Sequence, residues 1–114
     1  MKLSAIQNIL DAQLLNGDEE IEVNTACGCD LMSDVLAFVK DQTLLLTGLI
    51  NPQVIRTAEM MDIIAICFVR GKKPTEDVIE LAKAKNIALL TTDHPLYIAC
   101  GRLYANGLGG RDGA

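Results

Sequence analysis

Three cations, Arg70, Lys72 and Lys73, stand between an aliphatic run ending at Val69 and a helical pattern opening at Thr75. A helix N-terminus carries positive potential and free backbone N–H groups, so cations crowded there suit an anionic ligand. Glu76 and Asp77 follow at once and support another reading, in which the charges neutralise one another and the lysines are solvated. Asp93-His94, just before Pro95, holds the only histidine and is a candidate acid–base pair, or equally a surface turn. Cys27 and Cys29 flank Gly28 ahead of Asp30. A thiolate at a helix N-terminus has a lowered pKa, which suits redox or metal chemistry. Zinc and iron–sulfur centres want four ligands, and no spacing here supplies them, so no metal and no cofactor is expected. Cys67 and Cys100 read as core residues. Gly71-Lys72 is not a P-loop, because that pattern needs glycine at the position of Ile66 and serine or threonine at that of Lys73.

These residues hang on a repeated design between Thr43 and Pro95: an aliphatic run, a polar turn, then an amphipathic segment. The runs are Thr43–Thr47, Ile63–Val69 and Ile87–Thr91. The middle run is apolar throughout, as a parallel strand covered on both faces requires. After the first run, Asn51 suits a helix N-cap and Pro52 the first helical position, with Ile50 and Ile55 spaced as a hydrophobic staple. Helices are predicted from Pro52 to about Met61, from Thr75 past Lys83, and from Leu96 to about Asn106.

Upstream, Ser4 and Gln7 have capping-box spacing, which predicts a helix over Ala5–Leu10. Leu14–Asp18 carries an Asn-Gly pair, the signal of a tight hairpin, and the alternation Ile21/Val23/Thr25 supplies a return strand over Ile21–Cys27. A rival reading extends the first helix to Leu15. Asp30 reads as the N-cap of a helix over Leu31–Lys40, with Leu31, Met32, Val35, Leu36, Phe38 and Val39 as its apolar face. The expected fold is therefore a three-layer α/β/α domain on a mostly parallel sheet, with an N-terminal helix and a short hairpin. One domain is expected over residues 1–108, with a flexible tail over residues 109–114.

Composition narrows the function. Half of the 114 residues are hydrophobic but only 4% are aromatic, so the core is aliphatic. A net charge of −5 argues against nucleic-acid binding. No apolar run approaches the roughly 20 residues of a membrane span, and no secretory signal is evident, so a soluble cytoplasmic protein with reduced thiols is expected. Ligands of open α/β sheets bind at the carboxyl ends of the strands. Thr47, Gly48, Asn51, Arg70, Gly71, Lys72, Thr92, Asp93 and His94 all belong to turns on that edge and are the candidate ligand contacts. Tyr97, Gly101 and Tyr104 form a separate stripe on the last helix. Tyrosine favours interfaces, so the stripe is the candidate surface for a homodimer or another protein partner.

The order Asp30-Leu31-Met32-Ser33-Asp34-Val35, Leu46-Thr47-Gly48 with Asn51-Pro52, Val69-Arg70-Gly71-Lys72-Lys73-Pro74 and Leu90-Thr91-Thr92 resembles the DRTGG domain family. Such domains resemble the N-terminal domain of HPr kinase/phosphorylase and occur beside CBS modules and in phosphate acetyltransferases. The likeness spans Leu3–Leu108. Arg70-Gly71 stands where the family usually has Thr-Gly-Gly, and Leu49-Ile50 where an Asp-Arg pair is common. The resemblance implies a non-catalytic regulatory or oligomerising module, without the kinase's catalytic domain. The expected function is a regulatory module binding a small anionic ligand or a protein partner at the sheet edge. A pure interaction module and a small enzyme using His94 and Asp93 are the alternatives.

Overall fold

The structure is a computed structural model that describes residues 1–38 and 42–109. Val39 and Lys40 at the end of the expected second helix, the side chains of residues 36–38, and residues 110–114 of the expected tail lie outside that description. The elements run α1 (Leu3–Leu10), β1 (Gln13–Asn16), β2 (Thr25–Gly28), α2 (Met32–Phe38), β3 (Thr43–Thr47), α3 (Pro52–Met60), β4 (Ala65–Phe68), α4 (Glu76–Ala84), β5 (Ala88–Thr91) and α5 (Leu96–Ala105). They form a five-stranded sheet in the order β1-β5-β4-β3-β2, parallel except for β1.

Strand alternation divides the interior into two cores. Leu44, Leu46, Ala65, Cys67, Ala88 and Leu90 face α1 and α5, where Leu3, Ile6, Leu10, Ala99 and Leu103 meet them. Leu45, Ile66, Phe68 and Leu89 face Val35 of α2, Val54, Ile55 and Ala58 of α3, and Val78 and Ala82 of α4. Every residue of β3, β4 and β5 is buried, which accounts for their unbroken apolar or threonine sequence. Each large side chain so buried contributes about 1.5–3 kcal/mol. The three-layer α/β/α expectation therefore holds.

The expected hairpin does not form. β1 pairs antiparallel with β5, while β2 pairs parallel with β3 at the opposite edge of the sheet. Between them, Ile21–Asn24 contributes only an isolated bridge, Lys2 to Glu22. Asn16-Gly17 serves a long-range contact instead of a turn to β2. Gly17 has φ +112°, and a Cβ there would lie 2.6 Å from that of Ala88. The Asn16 amide donates to the Ile87 carbonyl at 2.9 Å. Nor does Ser4 cap the first helix, which begins at Leu3. Backbone carbonyls of the following loop do the capping: Leu3 N–H donates to Ile21 and Ser4 N–H to Glu19.

Asn51 caps α3 as expected, accepting from Val54 N–H at 3.3 Å, with Pro52 in the first turn. The returns to β1, β3, β4 and β5 share one device: Asp11, Gln42, Asp62 and Asn86 each take a left-handed backbone, φ 49–57°. That conformation reverses the chain directly from helix into strand.

Candidate functional site

Register decides which turns meet. Thr47 pairs with Phe68 and Phe68 with Thr91, and the ladder continues through Cys29 N–H to Leu46, Val69 N–H to Thr47 and Thr92 N–H to Phe68. Asp30, Gly48, Arg70 and Asp93 therefore stand in a row at the carboxyl ends of the parallel strands. Antiparallel β1 enters from the same edge, which adds Asp11. The sequence reading missed Asp11 here because nothing local announces β1's partner.

α4 leaves β4 toward one face of the sheet, and α5 leaves β5 toward the other. Such divergence opens the crevice in which α/β proteins commonly bind ligands. Here the chain stitches the crevice with its own groups. Arg70 N–H donates to the His94 carbonyl at 2.9 Å and Gly71 N–H to the Thr92 carbonyl at 2.8 Å. Thr91 donates its hydroxyl to the Lys72 carbonyl at 2.7 Å. Thr92, among the candidate contacts, is 2% exposed and donates its hydroxyl to the Leu10 carbonyl. Thr47 is wholly buried and donates to Asp30 Oδ1 at 3.0 Å. Both threonines hold the edge together from beneath.

The groups left facing outward are Asn51, Arg70, Gly71, Lys72, Asp93 and, half-buried, Gly48 and His94. Lys72 N–H donates to the Val69 carbonyl at 3.2 Å, closing a turn whose central residues have φ +58° (Arg70) and +69° (Gly71). Two positive φ values in succession define a type I′ turn, which favours Asn or Gly at its first central position. Arg70 holds that position against its backbone preference. Its Nη2 reaches over β3, 3.0 Å from where a Cβ on Gly48 would lie, and it forms no ion pair among the described residues.

Asp30 does not cap α2. Its Oδ1 accepts from Thr47 Oγ1 and, at 2.7 Å, from Gly48 N–H, which fastens the β2–α2 turn to the end of β3. Asp93 Oδ1 would lie 3.0 Å from a Cβ on Gly71. His94 Nε2 lies 3.8 Å from Asp11 Oδ2. The cationic edge expected from Arg70, Lys72 and Lys73 is thus a mixed one, with carboxylates set among the cations. At the start of α4, Thr75 donates its hydroxyl to Asp77, a bond that holds the Asp77 carboxyl below the usual range.

Burial pushes the thiols of Cys27 and Cys100 up rather than down, and that of Cys67 up to about 12. Cys29 bonds locally with both backbone groups of Leu31. No three His, Cys, Asp or Glu residues converge on a metal-sized site among the described residues.

The candidate interface residues lie on α5. Tyr97 and Tyr104 are 86% and 61% exposed, and a Cβ on Gly101 would meet nothing within 4 Å. Together with Ile98, Cys100, Leu108 and the β2 edge at Ala26 and Gly28, they line an open apolar groove of about 660 Å³. None of the candidate ligand contacts at the sheet edge lines it. The carbonyl of Gly109 accepts from Ala26 N–H on the outer edge of β2, at one end of the groove.

No protein-family model matches the sequence, and comparison with curated proteins gives no match. Among solved structures, the chain is similar to the CBS and DRTGG domains of the regulatory region of Clostridium perfringens pyrophosphatase, complexed with the activator diadenosine tetraphosphate. The TM-score is 0.77 at 20% identity, over 97% of this chain and 51% of that one. The likeness is one of fold, and it agrees with the DRTGG-type domain that the sequence resembles. Among the described residues no helix is long and apolar enough to cross a membrane.

Proposed function

We propose that this chain is a non-catalytic, cytoplasmic regulatory module that takes a small anionic ligand at the carboxyl edge of its sheet. The observation that carries the reading is Arg70: an exposed guanidinium over Gly48, on a left-handed backbone and without an ion-pair partner among the described residues. Unfavourable backbone conformations in folded proteins cluster at functional sites. In a chain of net charge −5, an unpaired arginine at the ligand-binding edge of an α/β sheet favours anion recognition. Lys72, exposed two residues on, adds positive potential. The structural neighbour is a regulatory region in complex with a polyanionic nucleotide, which places nucleotides among the first ligands to try.

A thermal-shift series with nucleotides, sugar phosphates and simple anions tests this. A ligand at 100 times its Kd stabilises by about 2.7 kcal/mol. The shift is expected to vanish when Arg70→Ala and Lys72→Ala are combined. No shift with any ligand, or a shift intact in that variant, would remove the reading.

The exposed Tyr97/Tyr104 stripe favours a second reading, alone or coupled to the first: a homodimer or another protein partner docked through α5. Sedimentation is then expected to show an oligomer that Tyr104→Ala dissociates. A monomer at high micromolar concentration would exclude the homodimer.

A further inference from the structure

The charge arrangement around Gly48 says more about the ligand, provided that the edge binds an anion as proposed above. A carbon placed where the Gly48 Cβ would be lies 3.0 Å from Arg70 Nη2 and 3.6 and 3.7 Å from the two oxygens of Asp30. One half-buried position is thus approached by a cation and an anion together, yet Arg70 and Asp30 form no ion pair. Asp30 is held in place independently of Arg70, because its Oδ1 accepts from both Thr47 Oγ1 and Gly48 N–H. Its Oδ2 accepts no hydrogen bond among the described residues. A bare anion seated on Arg70 would face that carboxylate and be repelled by it. An anion that also carries a hydroxyl or ammonium group satisfies both sides: the anionic group pairs with the guanidinium, and the donor bonds to Asp30 Oδ2.

We propose that Arg70 and Asp30, which meet beside Gly48, recognise an amphoteric small molecule, an anionic group with a hydrogen-bond donor a few bonds away, and that Asp30 selects against simple anions. Two chemical sources share this pattern, hydroxylated phosphates and free amino acids. Calorimetric titration of the full chain with ribose 5-phosphate, glycine and inorganic phosphate distinguishes them. One of the first two is expected to bind at least tenfold more tightly than inorganic phosphate, and which one does so identifies the donor. Asp30→Asn keeps an acceptor oxygen for Thr47 and Gly48 but presents an amide in place of the carboxylate. It is expected to weaken the preferred probe at least tenfold while leaving inorganic phosphate equal or tighter, with an unchanged melting temperature. If inorganic phosphate binds as tightly as either probe and Asp30→Asn changes nothing, the role of Asp30 is overturned and the anion site stands. If none of the three binds, the anion site falls with it.

Discussion

The hydroxyl of Thr92 donates to the carbonyl of Leu10 at 2.6 Å, joining residues 82 positions apart. Leu10 closes α1, where helical carbonyls lack intrahelical partners, and Thr92 immediately follows β5. The bond anchors the N-terminal helix to the sheet edge and is inaccessible to solvent. Thr92→Val keeps the shape but leaves the buried carbonyl unpaired, so a loss of roughly 1–3 kcal/mol is expected. Thr92→Ser should recover most of it. Urea unfolding of the three proteins checks this: equal midpoints for the valine and serine variants would refute the role given to the hydroxyl.

Gly17 is the other long-range constraint on the N-terminal region. Its φ of +112° is costly for any residue with a side chain, and a Cβ would overlap that of Ala88. Gly17→Ala is expected to destabilise by about 1–3 kcal/mol on backbone grounds alone, with the steric clash added. Asn86 offers the contrast, being a non-glycine residue at φ +57° in the return to β5. Asn86→Gly should leave stability unchanged or raise it, whereas Asn86→Val should lower it by about 1–2 kcal/mol. Thermal melts that rank the valine variant at or above the glycine variant would contradict the left-handed assignment.

Cys67 gives the chain an alkaline limit. Burial raises its thiol from 9.0 to about 12, with Cys100 nearby adding to the shift. The folded chain thus holds this proton more tightly than the unfolded chain does. The resulting stability is fully present below about pH 9 and is lost as pH rises toward 12. Cys67→Ala has no thiol to titrate there. The stability difference between wild type and variant should therefore shrink from pH 8 to pH 11 in urea titrations, and a constant difference would exclude the effect.

Much of the fold was legible because its signals are local. An apolar run of strand length needs cover on both faces, and Asn51-Pro52 suits a helix start whatever surrounds it. The pairing of β1 was not legible. Asn16-Gly17 carries the same residues whether it turns the chain into β2 or lets it approach Ala88, and only the partner strand distinguishes the two. The start of α1 misled for a similar reason: loop carbonyls from Glu19 and Ile21 take the N–H groups that Ser4 was expected to serve. At the candidate site, the turns and their shared edge could be read from the repeated strand-turn-helix design, since parallel strands end on one edge. The role of Asp30 could not, because a cap residue and a carboxylate bound across to the next strand look alike until register brings Gly48 beside it. The same register set Asp30 and Asp93 beside Gly48 and Gly71, which gave the edge its mixed charge where the sequence stressed the cations of Arg70–Lys73.

Gly101 separates the stability of the chain from its association. It lies in mid-helix on α5, and a Cβ there would touch nothing within the chain. Glycine inside a helix costs roughly 0.5–1 kcal/mol relative to alanine, so Gly101→Ala is expected to stabilise the isolated chain by about that amount. Gly101→Arg would also fit the isolated chain, but it would put a long charged side chain between Tyr97 and Tyr104. If α5 carries a homodimer, Gly101→Arg should shift sedimentation to the monomer with no loss of monomer stability. Oligomers unaffected by Gly101→Arg would place the interface elsewhere. A chain destabilised by Gly101→Ala would instead show that the helix needs this glycine for its own packing.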